Sequence, residues 1–183
     1  TYLTVGQVLG RFDNILKAEC DLYTIDLANA ISTDVMNLSN YQNIINLVAF
    51  DSADKKLTVY ETIDRLKQII SDQSDLSAKD TVDAIGDVID ISRFSEVINV
   101  LIYGPNGEEL TIGQVITRIK NIIDKQNSDI VAYDLITAVS NDVMDLSNFN
   151  NIIKVLTTKG EDPNVTYLTV GQVLGRFDNI LKA

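Results

Sequence analysis

The chain contains no histidine. That one absence removes the usual metal ligand and the usual general base together. Cys20 is the sole cysteine, so no disulfide forms within the chain. Its place before a helical stretch reads as a lone, partly buried thiol rather than a reactive one. Proline occurs only at Pro105 and Pro163, which leaves long stretches free to be helical. Basic residues are outnumbered, 15 Lys and Arg against 26 Asp and Glu, for a formal charge of −11. A surface of that sign repels nucleic acid and anionic membranes, so neither is expected as a partner. No apolar run reaches the roughly 18 residues of a membrane-spanning helix, so no membrane insertion is expected. The chain begins at Thr1 rather than Met and reads as a fragment or a mature form, which says nothing about its compartment.

What is present is self-similarity. The segment "TYLTVGQVLGRFDNILKA" at Thr1–Ala18 returns unchanged at Thr166–Ala183. Two diverged relatives lie between: "LTVYETIDRLKQII" from Leu57 and "LTIGQVITRIKNII" from Leu110. The intervening sequence recurs too. "DLANAISTDVMNLSNYQNII" from Asp26 and "DLITAVSNDVMDLSNFNNII" from Asp134 share 13 of 20 positions. The middle copy, "DTVDAIGDVIDISRFSEVI" from Asp80, is one residue shorter. The chain therefore reads as helical repeats 1–56, 57–109 and 110–165, followed by an extra helix, 166–183, identical to 1–18.

The first segment of each repeat has the signals of a helix. Val5, Val8, Leu9, Phe12, Ile15 and Leu16 lie on one α-helical stripe. Thr4 with Gln7, Thr58 with Glu61, Thr111 with Gln114 and Thr169 with Gln172 have capping-box spacing, in which each side chain satisfies the other's free N–H. Leu3 with Val8, Leu110 with Val115 and Leu168 with Val173 add a hydrophobic staple, which Thr62 interrupts in the second repeat. A second helix is expected from about Asp21, Asp75 and Asp129. A third is expected from Ser39, Ser92 and Ser147 as N-caps, with Tyr41, Phe94 and Phe149 on its apolar stripe. The one-residue deletion at Gly86 would rotate a continuous helix by roughly 100°, so a break is expected there. These readings give an all-α fold. Three tandem units of two to three helices, plus the first helix of a fourth, form a bundle array or short solenoid, with continuous packing favoured over separate beads.

Polar residues recur as joints rather than as chemistry. Arg11, Arg65, Arg118 and Arg176 occupy one helix position, and Asp34, Asp87 and Asp142 another, so bidentate inter-helix pairs are expected between the two sets. No nucleophile, base or oxyanion donor stands beside them, so no catalytic residue is assigned. Laid on a calcium-loop template, "YGPNGEELTIGQ" offers Tyr103, Pro105, Gly107 and Gln114, and "FDSADKKLTVYE" offers only Ser52, Asp54 and Glu61. Neither set suits Ca²⁺, and no metal or cofactor is expected. Gly6 and Gly10 resemble a close-packing face that Tyr60 and Asp64 break in the second repeat. Asn37 and Asn164 match glycosylation triplets by pattern alone. Met36 and Met144 match each other and are expected in the core. The tyrosines at 2, 23, 60, 103, 133 and 167 show no recurring reader of a ligand.

The function these features point to is non-enzymatic. The chain reads as one segment of a helical array that forms or supports a fibre, surface stalk or other assembly, with an extracellular or surface setting favoured. Self-association follows if the last helix of one copy and the first of another exchange head to tail. The alternative is a helical module that binds another protein or a peptide.

Overall fold

The computed structural model describes residues 2–16, 22–159 and 166–183. Cys20, Asp21, Pro163 and Asn164 lie outside the described residues. Among the described residues the chain is all-helical, with ten α-helices and no β-strand. They are α1 (Val5–Leu16), α2 (Thr24–Asp34), α3 (Gln42–Ala49), α4 (Val59–Ile70), α5 (Ala78–Gly86), α6 (Ser95–Ile102), α7 (Ile112–Ile123), α8 (Ala132–Asp142), α9 (Asn150–Thr157) and α10 (Val170–Lys182). No described helix is long and apolar enough to cross a membrane. Contacts divide the chain into two compact units: Thr1–Leu76 with Asp80–Ile89, and Ser77–Lys79 with Asp90–Ala183.

The ends of α4 and α7 follow from local chemistry. Thr58 Oγ1 accepts from the Glu61 N–H, and the Glu61 carboxylate accepts from the Thr58 N–H at 2.8 Å. Thr111 and Gln114 close the same box on α7. At their far ends both helices finish in a Schellman turn: the Gln73 N–H reaches the Gln68 carbonyl, and the Gln126 N–H reaches that of Asn121. The residues that turn left-handed there are Asp72 (φ 69°) and Lys125 (φ 60°), where glycine is the usual choice.

The other helices start differently from the sequence expectation. α2, α5 and α8 begin three residues after Asp21, Asp75 and Asp129. Tyr23 and Val131, which precede α2 and α8, make no side-chain cap bond. Ser39, Ser92 and Ser147 are not α-helical caps. They open 3-10 turns (Ser39–Tyr41, Ser92–Phe94, Ser147–Phe149) that lead into α3, α6 and α9. In each, the serine N–H donates to the side chain two residues upstream: Asn37 at 2.9 Å, Asp90 at 3.0 Å and Asp145 at 2.9 Å. That turn competes with an ordinary N-cap and wins. At the one-residue deletion the helix simply stops, with α5 ending at Gly86.

Isolated antiparallel bridges, which have no sequence periodicity, hold the ends together. Phe50 with Lys56, Tyr103 with Glu109 and Thr158 with Tyr167 close the connections that follow α3, α6 and α9. Asp54 (φ 57°) and Gly107 (φ 79°) supply the left-handed residue at the same place, three positions before Leu57 and Leu110. In the second unit the core is Ile130, Ala132, Leu168, Val170 and Val173, with Val100, Leu101, Ile122, Leu135 and Leu174 packed around it. In the first unit Ile25, Ala49 and Leu57 are buried together with the polar Thr62.

Candidate functional site

One kind of joint recurs among the described residues. The start of a capped helix pairs with the start of an earlier helix through Tyr23 with Thr58, Ser77 with Thr111, and Val131 with Thr169. Thr24, Ala78 and Ala132 donate their N–H to the carbonyls of Leu57, Leu110 and Leu168 at 3.0, 2.8 and 2.8 Å. Leu57, Leu110 and Leu168 in turn donate to the carbonyls of Ala49, Ile102 and Thr157, at 2.8, 2.9 and 2.8 Å. The leucine that the sequence marks as half of a staple thus also closes the end of the preceding helix. The first joint differs in one respect. Thr24 Oγ1 and Thr62 Oγ1 lie 2.6 Å apart, where the third joint has Ala132 and Val173. A buried hydroxyl needs a partner, and each supplies the other's.

The arginines hold these joints, through partners other than those the sequence suggested. Arg118 is buried; its Nε donates to Asp129 at 2.8 Å and its Nη1 to the carbonyls of Tyr103 (2.5 Å) and Leu101 (3.4 Å). Arg176 Nη1 donates to the carbonyls of Val155, Leu156 and Thr158 at 3.0, 3.2 and 3.0 Å. Both guanidiniums therefore sit on the free carbonyls at the C-termini of α6 and α9, where the helix dipole also favours a cation. Arg65 lies 3.7 Å from Asp75. Arg65 and Arg118 do not pair with Asp87 or Asp142, because Asp75 and Asp129 immediately precede the paired joint and reach the arginine first. Asp75 and Asp129 follow the arginines by ten and eleven positions, a recurrence that the sequence displays. Arg11 on α1 is exposed and makes no such bond to a described residue.

Asp87, just past α5, and Asp142, the last residue of α8, instead contact α3 and α6, two helices earlier. The Asn43 amide of α3 donates to Asp87. The Val97 N–H in the first turn of α6 donates to Asp142 at 2.9 Å, and the neighbouring Asn141 amide donates to Glu96 at 2.6 Å. A carboxylate there satisfies a free N–H and lies at the positive end of the helix. Asp34, at the matching position of α2, is exposed.

The two identical segments sit in different surroundings. Thr4 with Gln7 and Thr169 with Gln172 form the same capping hydrogen bonds. Beyond the cap they part: Val170 is 8% exposed and Val5 77%. Gly171 lies against Ser128, and a Cβ there would come 3.2 Å from the Ser128 nitrogen, whereas one at Gly6 or Gly10 would meet nothing within 4 Å. Tyr167 stacks on Tyr133 with ring centroids 4.6 Å apart, a pairing that the sequence did not announce. Tyr2, its counterpart, is fully exposed.

Two groups placed in the core by the sequence are at the surface. Met36 and Met144 are exposed, as are Val35, Val88, Ile89 and Val143 beside the same helix ends. Tyr41, Phe94 and Phe149 are exposed on their 3-10 turns. These turns lift the residues off the stripe that an uninterrupted helix would have buried. A shallow cleft lined by Lys125, Gln126, Asn127, Ser128, Thr169, Gly171 and Gln172 borders the start of α10, but Lys125 pairs with Asp178. Among the described residues no three His, Cys, Asp or Glu side chains come together as a metal site. Glu61, the one calcium-loop acid at a conventional closing position, is held by its cap. Hydrogen bonds from the Thr58 backbone and hydroxyl, and the Lys55 charge, keep its carboxyl below the ordinary range. The arrangement is built to join helices. Comparison with known proteins finds no match: no family model, no curated protein and no solved structure is similar to this chain.

Proposed function

We propose that the chain is a non-enzymatic structural repeat protein, one segment of a tandem helical array that forms or supports a fibre, surface stalk or other assembly. Its units are 1–56, 57–109 and 110–165, with 166–183 as the first helix of a further unit. The joint made three times carries this reading. Leu57, Leu110 and Leu168 each bridge the end of one helix and the start of another with the same pair of backbone bonds. A chain that spends its buried arginine and its caps on such joints is organised to propagate a packing, and stability in such arrays grows with each interface added.

The test is to link two copies in the register of the 165-residue period, so that the second copy's Thr1 takes the place of Thr166, and to compare urea unfolding with the single chain. An array predicts a higher midpoint for the linked chain, because the second copy's first helix makes the third joint of the first copy and one packing then runs through six joints instead of three. An unchanged midpoint would mean independent beads and would remove the basis for the reading.

A second reading, a module that binds another protein or a peptide, is favoured by the exposed aromatics Tyr41, Phe94 and Phe149 at equivalent turns. It predicts that a displayed peptide library yields ligands that the triple serine variant at these positions no longer retains. Equal retention by that variant would dismiss it.

A further inference from the structure

α9 and α2 each expose positions that are covered on the corresponding helices elsewhere in the chain. Along α3 and α6, the positions Ile44 and Leu47, and Val97 and Val100, are partly buried. The same positions on α9 are Ile152 and Val155, 58% and 71% exposed. The second helices show the reverse. Ala84 on α5 and Ala138 on α8 are 5% and 2% exposed, while the matching Ala30 on α2 is exposed. What covers these positions is visible in the second unit, where α6 and α8 pack closely and Asp142 takes the Val97 N–H at 2.9 Å. On α9 the residue matching Val97 is Ile152, and on α2 the residue matching Asp142 is Asp34. Charge agrees with shape. α9 ("NNIIKVLT") carries Lys154 and no acid, and α2 ("TIDLANAISTD") carries no base and offers Asp34, its Asp26 being paired with Lys56 at 3.0 Å.

We propose that a second copy of this chain docks its α2 on α9 of the first, as α8 docks on α6 within one molecule. Asp34 of the incoming copy accepts from the Ile152 N–H, and Ala30 closes over Ile152 and Val155. The contact is heterologous, so each molecule offers one donor face and one acceptor face. This rests on the assembly reading above and names its partner and interface. Two short helices bury less than a standard interface, so association belongs at high protein concentration. The α1 of the incoming copy and the α10 of the receiving copy come from identical eighteen-residue segments and compete for one seat. The linked α10 has an effective concentration of about millimolar, which keeps the seat occupied at micromolar protein.

Sedimentation equilibrium of the full chain up to about millimolar concentration tests this, with Asp34→Lys and Val155→Asp as variants. Both residues are exposed, so each variant should keep the wild-type far-ultraviolet circular dichroism and urea midpoint. The wild type is expected to associate beyond the dimer, and each variant alone to associate at least about tenfold more weakly. An equimolar mixture of the two variants is expected to form dimers and nothing larger. Asp34→Lys keeps a sound α9, Val155→Asp keeps a sound α2, and only that pair can meet. Either variant associating like the wild type, or a mixture that stays monomeric, would overturn the interface. A monomeric wild type would overturn docking between copies. The linked two-copy chain, measured separately, would still decide whether the array reading stands.

Discussion

The Thr24–Thr62 hydroxyl pair gives the sharpest measurable consequence, because the molecule carries its own apolar version of the same joint. Thr62 is buried and bonds Thr24 at 2.6 Å, with the Val48 carbonyl 3.5 Å away as a second acceptor. Thr62→Val keeps the volume and removes the bond. It leaves the half-buried Thr24 hydroxyl against a methyl group and costs about 1–2 kcal/mol. Thr24→Ala leaves the Thr62 hydroxyl with only the long contact to Val48 and costs a similar amount, about 1–2 kcal/mol. The double variant reproduces the Ala132 and Val173 pairing of the third joint, where both side chains are buried. Losing both hydroxyls together removes the unsatisfied group, so its net cost should fall below about 1 kcal/mol. The cycle should therefore show a coupling of at least about 1 kcal/mol, and about 2–3 kcal/mol at the middle of these ranges. With no tryptophan present, urea unfolding followed by circular dichroism is the assay, provided the slope stays constant across the set. If the two single losses simply add, within about 0.3–0.5 kcal/mol, the hydroxyls are not bonded to each other and the account of the first joint fails.

Other consequences are simpler to state. Arg118→Lys should cost about 2–3 kcal/mol, because an ammonium cannot hold Asp129 and the Tyr103 and Leu101 carbonyls together; thermal unfolding reads it, and a loss within error would demote the guanidinium. Gly175→Ala should raise stability by about 0.5–1 kcal/mol, since a Cβ there meets nothing, whereas Gly171→Ala should lower it against the fixed Ser128 backbone; the same sign for both would contradict the geometry. Acid should weaken the Thr58 cap and not those at Thr111 and Thr169. Glu61 has a lowered carboxyl, caused first by the Thr58 N–H, so its contribution is full above the unfolded-state value and disappears as pH falls through the folded one. Gln114 and Gln172 do not titrate, so Glu61→Gln should flatten part of the acid limb in a pH series of urea midpoints, and an unchanged limb would assign it elsewhere.

How much of this was legible depends on the range of each interaction. The caps at Thr58, Thr111 and Thr169 were readable because both partners lie within one turn. The left-handed turns at Asp72 and Lys125 were not, since neither residue is the glycine that announces them. The arginines were correctly seen as recurrent, but their partners were ambiguous between two recurring sets of aspartates. Proximity to the paired joint decided for Asp75 and Asp129. Met36, Met144 and the three turn aromatics looked like core because hydrophobic spacing assumes a continuous helix, and the Asn37, Asp90 and Asp145 turns break that continuity. The bridges left no trace in the sequence, being single residue pairs without alternation.

The duplicated segment makes the molecule its own isogenic control. Arg11 and Arg176 have the same neighbours on both sides, so an arginine-directed protease meets one cleavage sequence twice in one chain. Intrinsic substrate preference cancels in the ratio of the two cutting rates. What remains is how often each copy opens, and its logarithm gives, without a reference peptide, the free energy that the surroundings of α10 supply and those of α1 do not.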